Sequence, residues 1–127
     1  MPMFVKRVSA MHELSLMQGV MDIVKESAAQ NGILKVNKVK LVVGKFSMAL
    51  PDSLQFAFEA ISGVEPLIKG AVLEIETKEI LCQCQQCQQI NQLGDTYHFV
   101  CSSCGSTKID IIQGRELYLD YYEGDEN

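Results

Sequence analysis

The chain has 127 residues, of which 47% are hydrophobic, and its formal net charge at pH 7 is −5. This length suits one domain with a small inserted module, and the apolar content suffices for a packed core and excludes wholesale disorder. The negative net charge argues against binding to a phosphate backbone, so we expect no nucleic-acid partner. No apolar run reaches the roughly 18 residues of a membrane helix, so we expect no membrane partner.

The first predicted element is an amphipathic helix over residues 11–30. Glu13 in its first turn suits the positive end of the helix dipole, and Asn31-Gly32 predicts its end, because glycine tolerates the left-handed conformation after a C-cap. Apolar residues recur at steps of three or four and define one face of this helix: Leu14, Met17, Met21, Val24 and Ala28. We expect the face to be widened by Leu16, Val20 and Ile23.

A strand, a second helix and another strand follow. Val39, Leu41 and Val43 alternate with Lys38, Lys40 and Val42, which predicts a half-buried strand ending near Gly44. The second helix begins at Pro51, buries Leu54, Phe58 and Ile61, and ends at Ser62-Gly63. Over residues 71–80, apolar and charged residues alternate again, as in a strand with one solvated face.

All five cysteines lie between Cys82 and Cys104. An odd, clustered set argues against a secreted disulfide framework, and the first ten residues lack the apolar stretch of a secretory signal, so we expect a cytoplasmic protein. Two C-x-x-C pairs separated by thirteen residues can turn four thiolates toward one point, which suits tetrahedral Zn²⁺; these are Cys84 with Cys87 and Cys101 with Cys104.

A four-thiolate zinc site has no open position for water, so we expect the zinc to be structural and the protein not to be an enzyme. Two alternatives stay open for the same cysteines: iron, as in an electron carrier, or redox-active thiols. We expect Cys82 to be a free thiol near the site. His98 is either a solvent-facing strand residue or an auxiliary group beside the metal.

A closing strand follows the cysteines, where Leu117, Leu119 and Tyr121 alternate with polar residues and tyrosines. The predicted fold class is α+β: two helices on a three-stranded sheet, with an inserted four-cysteine zinc-ribbon-like module. We expect residues 11–80 and 110–123 to form the α+β domain and residues 81–109 the zinc-binding module. Residues 1–10 would be an N-terminal extension, and residues 124–127 a frayed acidic tail.

Zinc ribbons with this spacing also occur in nucleic-acid-binding and protein-interaction modules, which is the alternative function. No Lys or Arg lies between Cys82 and Thr107, so the module lacks the positive charge that phosphate binding requires. A hydrolase is disfavoured too, because the chain has two histidines and Ser15 and Ser47 lack the glycine context of a nucleophile elbow.

The opening Met11-His12-Glu13, together with several later motifs, resembles the HypA/HybF family of hydrogenase nickel-incorporation accessory proteins. The resemblance covers nearly all of residues 11–122 and includes the two C-x-x-C pairs. The remaining matching motifs are Val43-Gly44-Lys45-Phe46-Ser47, Leu54-Gln55-Phe56-Ala57-Phe58-Glu59 and Gly114-Arg115-Glu116-Leu117.

This resemblance implies a nickel metallochaperone with a second metal site at Met11, His12 and Glu13. Its partners would be a hydrogenase-maturation GTPase of the HypB type and the large subunit of a [NiFe]-hydrogenase, and some relatives also serve urease. The chain would be a monomer or a homodimer. Imidazole, a terminal amine and backbone nitrogens together suit square-planar Ni²⁺. The amine ligand requires the chain to begin at Met11, and we therefore expect Met11 to be the biological first residue.

Overall fold

The computed structural model describes residues 10–93 and 99–126, with side chains from Glu13 onward. Residues 1–9 of the predicted extension and the predicted auxiliary residue His98 therefore lie outside the described residues. The helices are α1 (Ala10–Gln30) and α2 (Pro51–Ser62), with short 3-10 turns at Lys45–Ser47 and Pro66–Ile68. The strands are β1 (Lys35–Gly44), β2 (Val72–Lys78), β3 (Leu81–Cys84), β4 (Ile90–Gln92), β5 (Ile109–Gln113) and β6 (Leu117–Asp125).

Two three-stranded sheets organise the chain. The first has the order β2-β1-β6, in which β1 pairs parallel with β2 and antiparallel with β6. The second has the order β4-β3-β5 and carries the cysteines. Two helices, a three-stranded sheet and an inserted cysteine module confirm the predicted α+β fold. No helix in the described part of the chain is both long enough and apolar enough to span a membrane.

Helix α1 lies on the first sheet through the predicted apolar face. Met17, Met21 and Val24 are buried there, whereas Ile23 is 57% exposed, so the prediction that Ile23 widens this face is wrong. At 100° per residue, Ile23 lies about 130° around the helix from the centre of the buried face. Residue spacing puts Ile23 beside Leu16 and Val20 on the helix surface. Those two side chains still pack against the core, whereas Ile23 lies too far around the helix to reach it.

Helix α2 packs beside α1 over the same core. Leu54 and Phe58 are buried as predicted, and Ile61 is half-buried against the same cluster. Pro51 opens the helix, where the missing N–H costs nothing because the first helical N–H groups have no partner within the helix.

The other face of the first sheet carries lysines paired with carboxylates. Lys38 contacts Glu74 at 2.7 Å, and Lys40 contacts Glu76 at 3.0 Å. Val42 stands on this face, yet it is only 2% exposed, so grouping it with the solvated lysines was wrong. Its neighbours on the two adjacent strands are Glu76 and Tyr118, whose long side chains rise on either side of it.

Strand β6 extends into the predicted acidic tail. Gly124 pairs with Val36, and the Asp125 carbonyl accepts a hydrogen bond of 2.8 Å from the Leu34 N–H, so the expectation of a frayed tail from residue 124 is wrong. Strand β1 begins at Lys35, earlier than the alternation beginning at Lys38 predicts, and supplies this segment with a partner. Backbone pairing therefore orders the tail as far as Asp125.

The two sheets meet at a small apolar contact. Phe46 follows β1 and packs against the cluster of Ile80, Cys82 and Leu93. The Phe46 N–H donates to the Gly114 carbonyl at 2.7 Å, and the Phe46 ring meets that of Phe99 edge-on, with 6.0 Å between centroids. The cysteine module is thus connected to the first sheet by packing as well as by the chain.

Candidate metal centre

The two C-x-x-C pairs converge on one point. The first pair lies at the end of β3 and in the turn after it, and the second lies in a turn before β5. The Sγ atoms of Cys84 and Cys104 are 3.6 Å apart, as are those of Cys87 and Cys101. All four sulfurs lie within 4.8 Å of one another, which is close enough for all four to bind one metal ion.

Backbone N–H groups point at the first sulfur of each pair. The Cys84 sulfur accepts hydrogen bonds from the N–H groups of Gln86 at 3.3 Å and Cys87 at 3.5 Å. The Cys101 sulfur accepts one from Ser103 at 3.3 Å. The tight turn after each first cysteine aims these donors inward, and hydrogen bonds of this kind favour the thiolate over the thiol.

The four thiols divide into two with lowered and two with raised pKa values. The backbone N–H of Cys104 lowers the pKa of Cys101 to about 6, and that of Cys87 lowers the pKa of Cys84. The Ser106 N–H lowers the pKa of Cys104, but hydrogen bonding with Cys84 and desolvation outweigh it and raise that pKa to about 12. A backbone hydrogen bond lowers the pKa of Cys87, but desolvation and neighbouring thiols raise it overall. Metal binding must therefore displace protons.

Burial follows the same division. Cys84 and Cys101 are buried, whereas Cys87 and Cys104 are exposed at the surface of the module. Cys82 lies two residues before Cys84, is buried in the cluster at the sheet junction, and is not a member of the group of four. Burial raises the pKa of the Cys82 thiol, which keeps it protonated and a poor ligand.

Asn91 in β4 also touches the cluster, and sequence reasoning missed it. Its Nδ2 lies 3.5 Å from the Cys101 sulfur, and its Oδ1 lies 2.5 Å from the Ser102 hydroxyl. Strand pairing places residue 91 opposite Cys82, and the contact of its side chain with residue 101 leaves no local signal, since an asparagine among glutamines is unremarkable in the sequence.

The predicted nickel residues lie at the head of α1. Met11 and His12 are in its first turn, and their side chains lie outside the described residues. Glu13 is 1% exposed, and its Oε2 accepts a hydrogen bond of 3.1 Å from the Leu50 N–H at the start of α2. Its Oε1 is buried and has no hydrogen-bond partner among the described residues. The carboxylate thus fixes the head of α1 to the start of α2.

Comparison with known proteins matches this arrangement to one family. A family profile described as "Hydrogenase/urease nickel incorporation, metallochaperone, hypA" matches residues 11–124. A hydrogenase maturation factor HypA from Moorella thermoacetica is 37% identical over 115 residues, covering 91% of this chain and 100% of the relative. A protein of the same name from Lawsonia intracellularis is 34% identical over 117 residues, covering 89% and 98%.

Two solved structures share the fold. A solution structure of a HypA protein superposes with a TM-score of 0.68 at 25% identity, and the match covers 94% of this chain and 100% of that one. The solution structure of the Ni metallochaperone HypA from Helicobacter pylori superposes with a TM-score of 0.62 at 24% identity, covering 91% and 98%. The latter likeness concerns the fold alone.

Proposed function

This chain belongs to the HypA family of hydrogenase and urease nickel-incorporation metallochaperones, and on that premise we propose that it binds Ni²⁺ and delivers it to a [NiFe]-hydrogenase during maturation. The delivery would involve a partner GTPase of the HypB type and end at the hydrogenase large subunit. We place this work in the cytoplasm, with the protein acting as a carrier without catalysis, as a monomer or a homodimer.

The observation that carries the nickel proposal is the carboxylate of Glu13. A buried carboxylate oxygen without a donor costs free energy, and a cation or N–H group supplied from the head of α1 would offset that cost. Met11 and His12 immediately precede it. We therefore propose Met11, His12 and Glu13 as the nickel residues, with Glu13 also holding the motif against Leu50.

The helical position of the motif supports the same ligand set. The first four N–H groups of a helix have no partner within it, so the backbone nitrogen of His12 can bind a metal without breaking a helical hydrogen bond. In a chain that begins at Met11, the amine of that residue and the His12 ring would join it as nitrogen donors suited to square-planar Ni²⁺. The family match begins at residue 11, which supports Met11 as the first residue of the functional motif.

We assign the four-cysteine site to Zn²⁺, held by Cys84, Cys87, Cys101 and Cys104. Zn–S bonds of about 2.3 Å in a tetrahedron place the sulfurs about 3.8 Å apart, and two pairs here lie at 3.6 Å. The ion would hold together residues 81–109, a segment too short for a large core of its own. The division into this module and the domain of residues 11–80 and 110–123 stays a prediction. Strand β5 spans the predicted boundary between residues 109 and 110 and pairs with β3 of the module.

The test compares the chain's two histidines. His12→Ala is expected to abolish nickel binding measured by calorimetry and to leave the zinc content measured by elemental analysis unchanged. His98→Ala tests the second histidine in the same way: it retains both metals if His98 is a solvent-facing residue and loses affinity if His98 is an auxiliary group beside the metal. Nickel affinity unchanged in His12→Ala would contradict the proposed nickel site, and loss of zinc in that variant would contradict the independence of the two sites.

A further inference from the structure

We propose that Asn91 is a positioning residue of the cysteine site, and that its amide restrains the second C-x-x-C pair and slows release of the ion. The inference rests on the proposed zinc site. Asn91 lies at the centre of β4, a strand of three residues that pairs with β3 and places Asn91 opposite Cys82. From there its side chain reaches two consecutive residues of the second pair, Cys101 and Ser102.

The orientation of the amide follows from the chemistry of its two neighbours. A thiolate accepts hydrogen bonds and donates none, so the NH₂ group of Asn91 must face the Cys101 sulfur, at 3.5 Å. The amide oxygen then faces Ser102, whose hydroxyl donates to it at 2.5 Å. Because Ser102 holds the oxygen, the amide cannot turn its NH₂ group away from the sulfur without losing a hydrogen bond.

This contact links the two halves of the site through a side chain. Strands β3 and β4 form a hairpin whose turn carries the first pair, and the Cys84 N–H donates to the Gln89 carbonyl at 2.9 Å in this hairpin. The second pair is folded on itself by the bond from the Gly105 N–H to the Cys101 carbonyl, at 2.9 Å. Asn91 therefore connects the turn of the second pair to β4, the strand that pairs with β3 beside the first pair.

The buried sulfur is the one that Asn91 touches. Cys101 is 2% exposed, whereas Cys104 of the same pair is exposed, so a competing chelator meets the outer cysteine first. An ion leaves only when the buried sulfurs also release it. A hydrogen bond that fixes the Cys101 thiolate in place therefore acts on the later step of dissociation, and partners of this kind change metal affinity about 10- to 100-fold.

The experiment uses the full chain loaded with Zn²⁺ and measures affinity and release rate by competition with a chromophoric chelator. Asn91→Leu removes both hydrogen bonds, and Asn91→Asp keeps the acceptor for Ser102 but puts a carboxylate oxygen beside the thiolate. Both variants are expected to bind zinc about 10- to 100-fold more weakly and to release it faster. Ser102→Ala, which removes only the hold on the amide oxygen, should give a smaller change in the same direction.

Cobalt substitution separates this role from a general loss of stability. A hydrogen bond withdraws electron density from sulfur, so its removal should shift the sulfur-to-cobalt charge-transfer band of metal-saturated Asn91→Leu to longer wavelength. The control Gln92→Leu changes the neighbouring amide, which reaches Glu79 at 3.4 Å instead of a cysteine, and should keep the wild-type band and affinity.

Wild-type band position and release rate in Asn91→Leu and Asn91→Asp would overturn the inference, as would an equal effect of Gln92→Leu. If Asn91→Leu fails to fold, an unchanged release rate in Ser102→Ala decides against it in the same way. Failure of the wild-type chain to bind Zn²⁺ or Co²⁺ through four sulfurs would instead refute the proposed zinc site.

Discussion

Gly44→Ala should destabilise the protein strongly although its backbone conformation suits any residue. Gly44 ends β1 with φ −81° and ψ 146°, in the extended region. A methyl group added there would lie 2.1 Å from the Gly114 carbonyl oxygen and 2.6 Å from a carboxylate oxygen of Glu116. The first of these contacts is with backbone, so no side-chain rotation relieves it.

The cost follows from the hydrogen bonds at this contact. The Gly44 N–H donates to the Glu116 carbonyl at 2.6 Å, and the Phe46 N–H donates to the Gly114 carbonyl at 2.7 Å. Moving residues 44–46 away from residues 114–116 to fit a methyl group breaks or strains both bonds. At about 1–2 kcal/mol for each bond, the free energy of unfolding falls by about 2–4 kcal/mol. For a protein of this size, that loss lowers the melting temperature by roughly 8–16 °C.

The assay is urea and thermal unfolding of the metal-loaded protein, with Gly19→Ala as the matched control. A methyl group at Gly19, in α1, meets nothing within 4 Å in the described residues apart from the adjacent backbone of its own helix, so the same substitution should stabilise the helix by about 0.5–1 kcal/mol. The two variants should therefore shift the midpoint in opposite directions. A midpoint for Gly44→Ala equal to that of the wild type, with an unchanged denaturant slope, would refute the steric argument.

Two further predictions follow from the described contacts. Tyr122→Phe removes the 2.7 Å hydrogen bond between Tyr122 and the Ser27 hydroxyl and should cost about 1 kcal/mol in urea unfolding, whereas Tyr118→Phe, at a half-exposed ring, should cost nearly nothing. Zinc affinity should rise with pH. The pKa values of Cys87 and Cys104 are raised, that of Cys104 to about 12. At neutral pH these two thiols must therefore lose protons as the metal binds. Calorimetry in buffers of different ionisation enthalpy measures that release, and zinc uptake without it would contradict the assignment.

The local elements were predictable from the sequence because their signals are short-range. Residue spacing placed α1, α2 and β2 within one or two residues of their bounds and identified the two cysteine pairs whose sulfurs converge. The opening Met11-His12-Glu13 and the later motifs also identified the family. These signals depend on neighbours a few positions apart, and a helix period or a C-x-x-C turn carries the same meaning wherever it occurs.

Other features depended on partners far along the chain. The sequence does not show that β1 supports β6 as far as Asp125, or that the Glu13 carboxylate binds the Leu50 N–H. Nor does it show that the Asn91 amide reaches Cys101.

The sequence by itself determined the fold class, the cysteine cluster and the family, whereas the tertiary structure alone decided which residues lie beside the cysteine cluster and beside the proposed nickel residues. Gly44 illustrates the difference: its own dihedral angles permit any side chain, and the requirement for glycine comes from a carbonyl oxygen at Gly114. Contacts of this kind arise from strand register and packing, which one residue's type and its immediate neighbours do not specify.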